Sequence, residues 1–157
     1  MTNTLAAGDA APAFTAPRDG GDTVSLADFS GRTVVLYFYP RDDTPGCTTE
    51  ALEFTALAGE FERAGAVVVG VSKDSVGKHD TFRDKHDLGV ILVSDAQTSI
   101  AEDYGVWKEK TMYGKTFTRI ERTTFLIDGE GVIRRIWPGV KPAEHAAELL
   151  EVVRRST

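Results

Sequence analysis

Two runs along the chain are apolar at almost every position. Val34-Val35-Leu36-Tyr37-Phe38-Tyr39 and Ala66-Val67-Val68-Val69-Gly70-Val71 show no polar alternation, the pattern of strands covered on both faces of an α/β sheet. Between them, apolar residues recur at Ala51, Phe54, Leu57, Ala58 and Phe61. That spacing predicts a helix, so the unit reads β-α-β. Asp74-Ser75 can cap a second helix through Phe82 to about His86, and Val90-Ile91-Leu92-Val93 returns as a strand. Thr123 to Ile127 and Val132 to Trp137 flank Asp128-Gly129-Glu130-Gly131, a hairpin signal. Pro142 stands at a predicted first helical position. Ala143, Ala146, Leu149, Leu150 and Val153 then form an apolar stripe, ending in Arg154 and Arg155 as a helix C-terminus favours.

Strand–helix alternation followed by a hairpin and a closing helix is the order of a thioredoxin-like α/β fold, a central mixed sheet flanked by helices. With 157 residues and neither repeat nor linker, residues 1–157 read as one domain. The net charge of −6 disfavours nucleic acid, and the pairs Arg134-Arg135 and Arg154-Arg155 are too short to override it. The opening residues carry no basic n-region, the first positive side chain being Arg18, and no apolar run reaches the roughly 20 residues that cross a bilayer. A single cysteine excludes an intramolecular disulfide and suits the cytosol, where a free thiol stays reduced.

A lone intracellular cysteine is ordinarily a small buried hydrophobe. Cys47 is placed differently. It follows a strand in Phe38-Tyr39-Pro40-Arg41-Asp42-Asp43-Thr44-Pro45-Gly46-Cys47, directly at the start of the predicted helix. Thr44 suits an N-cap and Pro45 the first helical position, which puts Cys47 in the first turn. Unpaired N–H groups and the helix dipole favour an anion there. The thiolate is the nucleophilic form of cysteine, and helix N-termini and cations favour it. The Thr44 hydroxyl can reach the same space, and Gly46 leaves it open to a substrate.

Pro40-x-x-x-Thr44-x-x-Cys47 resembles the peroxiredoxin active-site motif, and Pro45-Gly46-Cys47-Thr48-x-Glu50 resembles its Q-type, or bacterioferritin comigratory protein, branch. Gly8-Asp9-x-Ala11-Pro12-x-Phe14, Tyr104-Gly105-Val106-Trp107 and Glu121 to Asp128 extend the resemblance over nearly the whole chain. It implies a thioredoxin-dependent type of thiol peroxidase, an antioxidant enzyme in which Cys47 attacks hydrogen peroxide or an organic hydroperoxide and becomes a sulfenic acid. Arg122 would stabilise the thiolate and the charge on the departing oxygen. Thr44 would align sulfur and peroxide, Pro40 would shield the sulfur from water, and Glu50 would orient Arg122.

The sequence departs from that branch at Leu52, where many Q-type members carry a resolving cysteine. A one-cysteine mechanism follows, with reduction by thioredoxin, glutaredoxin or a small thiol, or through an intersubunit Cys47–Cys47 link. No metal or organic cofactor and no membrane or nucleic-acid partner is implied, and a monomer or weak homodimer is expected. The same cysteine would also serve a peroxide-sensing relay or interaction protein, and an inert thiol in a binding domain is the blandest alternative. His79 and His86, with Asp80, Asp84 and Asp87, lack the spacing of a metal site and read as a charged solvent face. His145 reads as exposed, Trp107 and Trp137 as packing anchors and Gly20-Gly21 as a turn; Ser72 lacks a nucleophile elbow.

Overall fold

The computed structural model describes residues 5–143 and 145–155. Its centre is a five-stranded sheet of β3 (Thr33–Phe38), β4 (Ala66–Ser72), β5 (Ile91–Ser94), β8 (Thr123–Ile127) and β9 (Ile133–Trp137), in the order β5-β4-β3-β8-β9. β3, β4 and β5 run parallel, whereas β8 and β9 are antiparallel to their neighbours. Helix α1 (Pro45–Arg63) links β3 to β4, α2 (Val76–His86) links β4 to β5, and α4 (His145–Arg155) closes the chain. This is the expected thioredoxin-like mixed sheet with flanking helices. No helix among the described residues is long and apolar enough to cross a membrane.

The apolar runs are solid because both faces of β3 are covered. Val34, Leu36 and Phe38 enter a core shared with Ile100, Tyr104 and Phe125. Val35, Tyr37 and Tyr39 enter the opposite core, with Ala51 and Phe54 of α1, Phe82 of α2, and Leu149 and Val153 of α4. Period-2 alternation thus persists in direction while both directions are apolar. Ser75 caps α2 by accepting from the Lys78 N–H at 3.2 Å, and Asp87 ends that helix in the left-handed region at φ +52°.

Two expectations need correction. Pro142 lies in a bend and Ala143 in a turn, rather than at the first positions of a helix; α4 is His145–Arg155. His145 is not exposed: it is buried, with Nε2 2.9 Å from the Thr124 hydroxyl, because α4 packs against α1 and seats the ring between Phe54 and Trp137. Three further pieces fall outside the periodic runs. These are the ribbon β1 (Thr15–Pro17) and β2 (Thr23–Ser25), which turns at Gly20-Gly21; the short α3 (Ile100–Asp103); and the hairpin β6 (Trp107–Met112) with β7 (Lys115–Ile120).

Gly70 in β4 shows how tightly the sheet meets α1. A Cβ there would stand 2.7 Å from Cζ and 2.8 Å from the hydroxyl of Tyr37, which is itself buried and stacked on Phe54. Gly70→Ala is therefore expected to destabilise the protein by about 1–3 kcal/mol, measured by urea denaturation. Unchanged stability would mean the Tyr37 ring has room to move.

Candidate active site

Strand pairing brings the site together. β3 and β8 are antiparallel with Phe38 opposite Thr123. One step beyond that pair, the chain leaving β3 lies beside the chain entering β8, so the loop before α1 meets Arg122. Thr44 is the N-cap of α1 in extended conformation, Pro45 and Gly46 open the helix, and Cys47 sits in its first turn. The sulfur is buried, with Cys47 only 1% exposed.

Arg122 forks between two acidic groups. Its Nη2 donates to Cys47 Sγ at 3.3 Å and its Nη1 donates to Glu50 Oε1 at 2.8 Å. Cys47 and Glu50 are three apart on one helix face, which is why a single planar guanidinium can span them. The Arg122 side chain is 15% exposed and that of Glu50 1%, so Arg122 is no strand-edge arginine in solvent. Burial opposes the charge on Arg122, but the neighbouring Cys47 and Glu50 outweigh it and raise its pKa. Burial also dominates at Glu50, pushing its carboxyl up to about 7 although Arg122 pulls it down. Glu50 Oε2 has no hydrogen-bond partner among the described residues. One guanidinium facing two acids in a dry site leaves Glu50 partly protonated near neutrality.

The other expected residues are placed as follows. Gly46 makes room for the protein rather than only for substrate: a Cβ there would meet Arg122 Nη2 at 3.2 Å and Pro142 Cγ at 3.3 Å. Thr44 shares the turn with Cys47, but its hydroxyl donates to the Arg41 carbonyl at 3.0 Å and neither caps the helix nor touches the sulfur. Pro40 is half-buried in the bend after β3. Leu52 is 43% exposed on α1. Trp137 is half-buried beneath the Arg135 guanidinium, whereas Trp107 is 37% exposed and is no deep anchor.

The histidines of α2 correct a further expectation. His79 and His86, read as a solvent face, clasp the active-site loop. His79 is fully buried, with Nδ1 2.6 Å from Asp42 Oδ2 and Nε2 3.0 Å from the Val93 carbonyl. Asp42 also accepts from the Tyr39 hydroxyl at 2.6 Å, and its N–H donates to Asp74 at 2.7 Å. Burial alone would lower the His79 pKa, but the Asp42 carboxylate more than offsets it. Asp43, held at φ +59°, accepts from Lys85 at 2.7 Å and lies 2.9 Å from His86 Nε2. The spacing of seven residues, two helical turns on one face, was the signal for this clasp; the partner acids were far away in sequence.

The chain as a whole is similar to known proteins. Residues 7–136 match the AhpC/TSA family. Peroxiredoxin Bcp of Bacillus subtilis is 45% identical over 151 residues, covering 96% of both chains. The crystal structure of a Xylella fastidiosa PrxQ variant aligns with a TM-score of 0.93 at 39% identity, covering 98% of both chains. The bacterioferritin comigratory protein of Xanthomonas campestris, solved in a study of its alkyl peroxide reduction, aligns at 0.87 with 43% identity over 91% of both chains. Matched by these relatives in sequence and fold over nearly its whole length, the chain belongs to the AhpC/TSA family, as a thiol peroxidase of its Bcp/PrxQ peroxiredoxin branch.

Proposed function

We propose that the chain reduces hydroperoxides by a one-cysteine cycle at Cys47, regenerated by an external thiol. The observation that carries this reading is the Arg122 guanidinium 3.3 Å from the only sulfur that can serve as nucleophile, in the first turn of α1. The Cys47 thiolate attacks the terminal oxygen of the substrate. An S–O bond forms as the O–O bond breaks, and the departing hydroxide or alkoxide takes up a proton to leave as water or alcohol. Arg122 and the free N–H groups of the helix turn lie where that negative charge develops. Thr44 and Pro40 border the approach, and Glu50 holds the second arm of the guanidinium.

Cys47–SOH has no second cysteine within its own chain to meet. An external thiol displaces water to form a mixed disulfide, and a second thiol releases Cys47. Thioredoxin, glutaredoxin and small thiols all meet that chemistry, in a reducing compartment such as the cytosol. Alkyl hydroperoxides are favoured as substrates by the activity named for the Xanthomonas relative.

Cys47→Ser is expected to abolish turnover with the fold retained, while one equivalent of peroxide adds one trappable sulfenic acid to wild type. Turnover in the variant would end the proposal. For Arg122→Met, the rate constant with peroxide should fall about 10²–10³-fold, and Arg122→Lys should fall between, because an ammonium keeps the charge but not the fork. Stopped-flow oxidation kinetics decide this; equal rates in all three proteins would refute the role of Arg122.

Glu50 gives a pH prediction. Its folded-state pKa of about 7 lies above the ordinary 4.5, so its contribution to stability is complete below pH 4.5 and is lost as pH rises through about 7. Relative to Glu50→Gln, wild type should lose on the order of 3 kcal/mol across that window, at about 1.4 kcal/mol per pH unit. Denaturant melts of both proteins at pH 5 and pH 8 test it; a difference that does not change with pH would show the carboxylate is charged throughout.

A further inference from the structure

The β6–β7 hairpin is unusual in its exposure and its charge. Residues 107–120 carry Lys108, Lys110, Lys115 and Arg119 against Glu109, a balance of 4 − 1 = +3 on a chain of net charge −6. The register sorts these residues cleanly. Trp107 pairs with Ile120, Lys108 with Arg119, Lys110 with Phe117, and Met112 with Lys115. Strand alternation then puts Lys108, Lys110, Met112, Lys115, Phe117 and Arg119 on one face. The other face is tied to the body at its base: Ile120 is buried in the core, and the Lys73 ammonium lies 5.1 Å from the Trp107 ring. Beyond that base the hairpin is exposed on both faces, and on the cationic face only Lys108 is half-buried. Met112 is 55% exposed, Phe117 39%, and Tyr113 at the tip 97%.

Folding gives no reason for this arrangement. Like charges directly opposite, as Lys108 and Arg119 are, destabilise a strand pair, and a two-stranded hairpin is marginal to begin with. Among the described residues, the one ion pair on the cationic face is that of Lys110 with Glu121 at 3.5 Å. A partner bearing negative charge would relieve that repulsion, and exposed Phe, Tyr and Met among cations are the composition of a protein interface. β7 ends two residues before Arg122, so a partner seated on the hairpin stands beside the Cys47 site.

We propose that the cationic face of the β6–β7 hairpin docks an acidic protein dithiol, which supplies the two electrons that return Cys47–SOH to the thiol. The inference rests on the peroxidase reading above. A protein is favoured over an anionic bilayer or a nucleic acid because the remainder of the chain sums to −6 − 3 = −9. An extended polyanion would repel that body, whereas a compact partner meets the hairpin alone.

The test is Lys108→Glu combined with Lys115→Glu, which turns the hairpin from +3 to −1, keeps the Lys110–Glu121 pair and gives Arg119 an opposite charge across the ladder. Steady-state peroxide reduction is measured with an acidic thioredoxin and its reductase, and separately with dithiothreitol. The variant should lose about tenfold in kcat/KM for thioredoxin at low salt, and added salt should lower the wild-type value toward it. Dithiothreitol-driven turnover and sulfenic acid yield should match wild type. Unchanged thioredoxin kinetics would overturn the proposal, as would wild-type binding to phosphatidylglycerol vesicles that the variant loses while keeping those kinetics. A wild type that forms no sulfenic acid and does not turn over with dithiothreitol would instead remove the peroxidase reading beneath it.

Discussion

One guanidinium shared by a thiol and a carboxyl in a nearly dry site is the constraint around which this molecule is arranged. Arg122 cannot be moved without leaving either Cys47 or Glu50 uncompensated, and both lie on the first turns of α1. The fork demands a planar cation, which excludes lysine as an equivalent. It crowds Gly46, where a Cβ would press on Arg122 at 3.2 Å and on Pro142 at 3.3 Å. It also demands that Glu50 accept an unfavourable burial, which its raised pKa records. These are costs to stability, borne where the chemistry needs positive charge beside sulfur.

The sheet supplies what the fork needs. β3 is the central strand, parallel to β4 on one side and antiparallel to β8 on the other. The parallel side generates a helix whose N-terminus faces the strand's C-terminal end. The antiparallel side delivers Arg122 to that same end from a point in the chain 75 residues away. Neither arrangement alone makes the site. The loop between β3 and α1 is then held from beneath by α2, through the Asp42–His79 and Asp43–His86 pairs. Asp43 sits in a left-handed conformation that a non-glycine residue adopts only when its surroundings hold it there. A loop so pinned keeps Cys47 in register with Arg122, which the β6–β7 hairpin leads into.

Much of this was legible in the sequence. The solid apolar runs determined two strands covered on both faces, helical spacing determined α1, and the Asp-Gly-Glu-Gly turn determined the β8–β9 hairpin. Thr44-Pro45-Gly46 before Cys47 determined that the sulfur sits in a first helical turn, because capping and backbone preferences are local. What stayed hidden depended on distance. His79 looked like a surface residue because its partner Asp42 lies 37 positions away, and His145 looked exposed because no local pattern shows that its face lies on Thr124. On β6–β7 it is the strand register that separates the cations from their one acid. Local composition decides which element forms and where it ends; only the packed chain decides which charges meet, since burial and pairing are properties of neighbours that the sequence does not place side by side.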